Sequence, residues 1–210
     1  MGANHMNPFY DAFNFLKQDR WPIYLFWFFL LVSIIVAAYN LKRDPAQRTF
    51  KGAWIWIARI LLGSMWWQQT LWKLPPFKEL GLKYWMEQMV KHAAFGFQSD
   101  IVKNLVLPNY HFFAPLVYFT EAFVAVSLIL GVFTRFGSIL GGLFAINLWL
   151  GLYNEPSEWP WTYFFLILLQ FTFGILRSGR SLGIDAIFVR RLDLWAGAKT
   201  RSAKLLDLFT

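Results

Sequence analysis

Apolar residues fall in runs about as long as a bilayer is thick. A spanning helix needs about 20 mainly apolar residues. The first such run, 21–40, carries no charge. The second, 53–72, carries only Arg59, and the third, 112–133, only Glu121. The fourth, 136–153, is glycine-rich and uncharged; the fifth, 161–176, is also uncharged. The pattern predicts an all-α integral membrane protein with five spans. The leader 1–20 is too long and polar for a secretion signal, and no small-residue cleavage site follows it, so the first span is expected to be retained.

Two stretches depart from this pattern. In the segment from Pro75 to His111, Tyr84, Trp85, Met89, Phe95 and Phe97 alternate with Lys83, Glu87, Lys91 and His92. That pattern suits an amphipathic helix on the membrane or a lid over the bundle, and loops this long are usually functional or carry structure of their own. The tail 187–210 mixes Arg190, Arg191, Lys199, Arg201 and Lys204 with Leu192, Leu194, Trp195, Leu205 and Leu206, as an interfacial helix does.

Composition and charge narrow the class. The chain is 57% hydrophobic and 15% charged, against roughly 25% charged in soluble domains. A soluble enzyme and a disordered protein are excluded. The absence of cysteine excludes a disulfide scaffold, a thiolate nucleophile, an iron–sulfur cluster and Cys-bound zinc on this chain. The net charge of +8 is read as basic loops beside anionic lipid, not as a nucleic-acid surface. Lys42, Arg43, Arg48, Lys51, Arg135, Arg177 and Arg180 fall on one side of a five-span chain. The positive-inside rule then puts the N-terminus outside and the C-terminus in the cytoplasm. Trp21, Trp54, Trp72, Trp159 and Trp161 stand at span ends, as an aromatic belt does.

Candidate chemistry comes from polar residues inside the spans. A buried charge costs at least about 2.5–3.5 kcal/mol and needs a partner or a purpose. Arg59 shares a helical stripe with Gly63, Trp66, Thr70 and Lys73, and Glu121 shares one with Tyr118, Ala125 and Leu128. The expectation is an Arg59–Glu121 pair. It either fixes helix packing or lines a pocket that binds an anion or a quinone head group, or passes protons through Glu121. Tyr163 and Gln170 share a face of the fifth span; Asn147 is the remaining amide, and each amide either hydrogen-bonds between helices or belongs to the polar site. Trp66 and Trp67 with Gln68 and Gln69 make either an aromatic cradle or ordinary packing. His111, at the mouth of the third span, is a proton-relay candidate or a surface residue. No histidine lies deep in a span, so no haem is expected, and no metal-binding pair appears.

Three segments together resemble the DoxX/DoxD-like membrane proteins. They are Arg59-Ile60-Leu61-Leu62-Gly63 with Lys73-Leu74, Glu121 followed by Leu130-Gly131-Val132-Phe133-Thr134-Arg135, and Gly179-Arg180-Ser181-Leu182-Gly183-Ile184-Asp185. The resemblance implies a four-helix transmembrane bundle over 53–186, here preceded by an extra N-terminal helix. It also implies a bacterial or archaeal plasma-membrane redox subunit that binds quinone, with the DoxD branch similar to the large subunit of thiosulfate:quinone oxidoreductase. In that reading Glu121 and Arg59 are catalytic, and Lys73, Trp66, Tyr118, His111 and Tyr163 bind substrate. The expected partners are lipid, quinone and other subunits of a redox complex. A non-catalytic anchoring subunit of a respiratory or photosynthetic complex is the alternative.

Overall fold

The computed structural model describes residues 7–73, 81–195 and 208–210, and every regular element among them is helical. A short helix α1 (Pro8–Lys17) precedes α2 (Trp21–Arg43) and α3 (Phe50–Leu71). Next come α4 (Leu82–His92) and α5 (Gly96–Ile101), which runs into a π-helical turn at Val102–Val106. The chain continues as α6 (Tyr110–Leu130), α7 (Thr134–Gly151), α8 (Pro160–Ile175) and α9 (Ile184–Trp195). The five long helices begin and end within three residues of the predicted spans.

The helix ends follow local chemistry. Pro22 and Pro160 sit at the starts of α2 and α8, where the missing N–H costs nothing. The Thr49 hydroxyl accepts from the Gly52 N–H at 3.0 Å and caps α3. Gly131 ends α6 at φ +69°, a left-handed conformation that glycine adopts without steric cost.

Helices α3, α6, α7 and α8 form a four-helix bundle. Helix α3 packs along α6, α7 packs along α8, and α6 joins the two pairs. Small residues bring the backbones together. A Cβ on Gly63 would stand 2.8 Å from Ile129 Cγ1 and 3.0 Å from the Ala125 carbonyl. On α7, Gly142 lies under the Phe171 ring and Gly141 under the Gln170 amide, so the glycine-rich helix packs tightly as its sequence predicts.

The extra helix α2 is fastened to the α3/α6 side by buried hydrogen bonds. Ser33 donates to the Ile129 carbonyl at 2.7 Å, and the Trp67 indole donates to the Pro22 carbonyl at 3.1 Å. Further along, Asn40 donates to the Gly183 carbonyl at 2.9 Å.

Helices α4 and α5 form a lid over one end of the bundle. Leu82, Met86 and Met89, at i, i+4 and i+7, bury against Tyr110, Ala114 and Leu152. Backbone bonds pin its far side: Ala94 N–H to the Leu150 carbonyl at 2.7 Å, and Asn154 N–H to the His92 carbonyl at 3.0 Å. Within the lid, the α-helical turn at 82–92 puts Leu82, Met86 and Met89 on the inner face, while Tyr84, Phe95 and Phe97 are exposed.

Helices α2 and α6 are long and apolar enough to cross a membrane, with mean hydropathy 2.2 and 1.9. Leu61, Phe119, Leu168 and Ile175 point outward from the bundle, as side chains facing lipid do. The five belt tryptophans, Trp21, Trp54, Trp72, Trp159 and Trp161, are all exposed near helix ends. In the tail, Arg190 of α9 donates to Asn40 Oδ1 at 2.6 Å. His5, Leu74, Pro75, Lys199, Arg201, Lys204, Leu205 and Leu206 lie outside the described residues, as do the side chains of Leu192, Leu194 and Trp195.

Gly63→Val should push α3 from α6 and cost about 1–3 kcal/mol, as overpacking does. Gly96→Ala, with open space around the new methyl, should leave unfolding unchanged. Denaturant titration in detergent, followed by tryptophan fluorescence, compares the two.

Candidate functional site

A cavity of about 1050 Å³ opens between α3, α6, α7 and α8 beneath the lid. Its walls are mainly apolar and aromatic, with Trp66, Trp85, Phe113 and Phe144 prominent. Trp66 and Phe144 meet with ring centroids 6.0 Å apart. Polar groups enter at a few points only, which is the usual character of a small-molecule site.

The polar floor is an ion pair between Lys73, just past α3, and Glu121, in the middle of α6. The lysine ammonium reaches both carboxylate oxygens and lies 4.6 Å from the centre of the Trp72 ring. Lys73 is 8% exposed and Glu121 2%. Each charge is therefore satisfied by the other in an environment that would not tolerate either alone. Lys73 is the only basic residue among the described lining residues. The floor is neutral as a unit, and an anion would have to displace Glu121 to reach the lysine.

Two further polar pairs line the walls. Gln98 of α5 donates to Asn147 of α7 at 2.7 Å and ties the lid to the bundle. Tyr163 at the start of α8 donates its hydroxyl to Glu158 at 2.9 Å. Gln69 and Thr162 complete the polar lining together with Thr120.

Arg59 is not part of this cavity, and the expected Arg59–Glu121 pair does not form. The reason is helical register. Gly63 lies against Ala125, Leu128 and Ile129, so the antiparallel α3 and α6 put Gln69 beside Glu121 and Arg59 beside Gly131. Arg59 and Gln69 are ten residues apart, about 15 Å along the helix axis, beyond the reach of a side chain. Lys73, on the same stripe as Arg59 but at its other end, takes the carboxylate instead.

Arg59 organises the opposite end of the bundle. It is fully buried, and its guanidinium lies in a cradle made by Gly131 and Gly183, where any Cβ would collide with it. Asp185 of α9 supplies the nearby negative charge. The Asp185 carboxylate accepts from the Phe133 N–H at 2.8 Å, the Thr134 N–H at 3.0 Å and the Thr134 hydroxyl at 2.7 Å. It thereby caps α7, whose N-cap residue Phe133 makes no side-chain cap of its own. The Asp185 N–H returns to the Gly131 carbonyl at 2.8 Å. Burial pushes the Asp185 carboxyl above the usual range, against the pull of the Thr134 and Phe133 donors and of Arg59.

Of the seven predicted site residues, Glu121, Lys73, Trp66 and Tyr163 meet at the cavity. Arg59, Tyr118 and His111 do not line it. Tyr118 is half-buried, one turn before Glu121 but turned out of the lining, and His111 is exposed in the first turn of α6. Trp67 faces α2, and Gln68 is exposed. Sequence reasoning missed Phe144, Gln98, Met86 and Glu158. The α7 positions Leu140, Phe144 and Leu148, at i, i+4 and i+8, carry a helical signal for this wall. Gln98 sits in a short helix without one.

Residues 54–154 match the DoxX family model, so this chain is DoxX-like over that stretch. The match takes in Arg59, Lys73, Glu121 and Gly131; Asp185 lies beyond it. No curated protein and no solved structure matches the chain.

Asp185→Asn should leave Arg59 without a compensating charge and cost about 3–5 kcal/mol. Adding Arg59→Met should recover part of that loss, giving strong non-additivity in a double-mutant unfolding cycle. Additive costs would mean that the two residues act separately.

Proposed function

We propose that this DoxX-like membrane protein binds a quinone in the cavity beneath the lid and serves as a subunit of a quinone-linked redox system. The observation that carries this reading is the combination of a large apolar cavity with one internally neutralised acid–base pair at its floor. A prenylated quinone is an uncharged, flat, lipophilic molecule whose two carbonyls need hydrogen-bond donors. The Lys73 ammonium is such a donor, and Glu121 is a proton carrier beside it. Trp66 and Phe144 offer ring faces for stacking. Gln98–Asn147 and Tyr163–Glu158 are polar pairs on the cavity wall, suited to the second carbonyl.

Reduction of a quinone takes up two electrons and two protons. Glu121 is placed to deliver protons; the electrons enter from a partner subunit or a diffusible donor. Thiosulfate is the donor suggested by the DoxD resemblance. The neutral floor argues that such an anion docks elsewhere, on a partner or on the exposed face of the lid, and that the cavity belongs to the quinone. In the membrane, the lid end faces outward and the basic end, with Arg59 and Asp185, faces the cytoplasm of a bacterial or archaeal cell.

The test is binding. Protein purified in mild detergent should retain quinone in its lipid extract, and a short-chain quinone should quench tryptophan fluorescence on titration. Lys73→Met removes the donor to the quinone carbonyl, a charged hydrogen bond worth about 1.5–3 kcal/mol, and should weaken binding at least about tenfold. No quinone in the extract and no saturable quenching would overturn the reading. Donor-linked activity that survives Glu121→Gln in a larger complex would favour an anchoring subunit.

A further inference from the structure

Below the cavity floor, a series of buried polar groups continues through the bundle toward Asp185. Helix α7 presents one stripe inward along its length: Leu148, Ala145, Gly141, Ser138 and Thr134, spaced by three or four residues. Leu148 lines the cavity, and Thr134 is hydrogen-bonded to Asp185. Between these ends the stripe is made of small residues, with a polar side chain set against it from α8.

That side chain is Gln170. It is fully buried, its amide lies against Gly141, and neither its Nε2 nor its Oε1 has a hydrogen-bond partner. The Trp66 indole N–H is likewise buried and unpartnered. Val124 also lies against Gly141, and the α3/α6 register sets Trp66 opposite Val124, so Trp66 and Gln170 occupy one level of the bundle. One turn further, the Ser138 hydroxyl is buried without a partner, and at the base so are the Arg59 guanidinium nitrogens and the Ser178 hydroxyl.

A buried polar group left unsatisfied costs roughly 1–3 kcal/mol. Native interiors satisfy such groups with internal waters, each bound by about three polar partners. Several unsatisfied groups thus stand at successive levels of the bundle, and a chain of waters running between those levels would satisfy them. From Gly141 to Thr134 this file of groups covers seven residues, about 10 Å.

We propose that this file is a hydrated proton path joining Asp185 at the basic end to the Lys73–Glu121 pair at the cavity floor. Protons hop through waters and the Ser138 and Thr134 hydroxyls, while the Gln170 amide and the Trp66 N–H orient the waters between them. For each proton that Glu121 passes into the cavity, one enters at Asp185, and no electron moves along the file. Charged and titratable groups bear on both ends. Glu121 faces Lys73 from the end of α3, and shares its cavity with Tyr163 of α8 and Glu158 of the α7–α8 loop; α7 and the lid add no charged group to that lining. Asp185 faces Arg59 of α3 and Thr134 of α7. The path's use in quinone reduction rests on the function proposed above, but the path itself does not.

Vesicles loaded with a pH-sensitive dye and carrying the full chain, with no quinone added, test it. Under a potassium-diffusion potential, the wild-type protein should admit protons well above protein-free vesicles. Gln170→Leu, which removes both amide heads with little change in volume, should lower the flux at least tenfold while unfolding at the same or a higher temperature. Ser138→Ala should act in the same direction and serves if Gln170→Leu does not fold. Gln68→Ala, on the exposed face of α3, should conduct as the wild type does. Wild-type flux no greater than that of empty vesicles, or flux unchanged in both file variants, overturns the proposal. Because quinone is absent, flux without quinone binding and binding without flux separate this inference from the binding reading.

Discussion

The close approach of α3 and α6 at Gly63 sets the positions of the chemistry at both ends of the molecule. With no side chain on Gly63, α3 lies within contact distance of the Ala125 backbone, and Leu128 and Ile129 pack against the same point in an antiparallel register. That register carries two cations on one stripe of α3 to two different destinations. Lys73 meets Glu121 under the lid, and Arg59 meets the glycine cradle and Asp185 at the basic end. A helix offset of one turn would separate Lys73 from Glu121 and leave both charges buried without partners, a penalty of several kcal/mol, and would draw Arg59 out of its glycine cradle near Asp185. Packing and electrostatics thus select the same arrangement.

The two ends use their charges differently. At the basic end, the carboxylate has a structural role beside the proton entry proposed for it: Asp185 caps α7, holds the Phe133–Thr134 turn and closes the bundle against α9. Phe133, Arg177 and Leu182 all take left-handed backbone conformations near this point, and such conformations persist where surrounding contacts over-determine them. At the lid end, the carboxylate is satisfied by one lysine and faces a cavity. The first arrangement fixes the fold, and the second leaves room for a ligand.

Much of this was legible in the residues. The five long helices follow from run length and hydropathy, and their ends from proline, threonine and glycine. The Arg59–Gly63–Trp66–Thr70–Lys73 stripe is buried as helical periodicity requires. Partnership was not legible, because a stripe says which face a residue occupies and not the height at which a neighbouring helix passes it. The register that pairs Glu121 with Lys73 is set by contacts of Gly63 with three residues on another helix. Likewise, the alternation in this segment suits either a membrane-lying helix or a lid and does not say which apolar residues meet the bundle; the turn of α4 gives that role to Leu82, Met86 and Met89. Asp185 carried a family signal but no hint that it would cap a helix 51 positions earlier.

The pairing of Glu121 is the claim from which the cavity's neutrality follows, and on which the proposed uncharged ligand and the proposed proton delivery rest. Solid-state NMR on protein labelled with ¹⁵N at lysine and arginine side chains and ¹³C at the glutamate carboxyl measures it directly in lipid. The account predicts a strong carboxyl–ammonium dipolar coupling that disappears in both Lys73→Met and Glu121→Gln and is unaffected by Arg59→Met. A Glu121 carboxyl coupled to the Arg59 guanidinium, or to no cation at all, would contradict it.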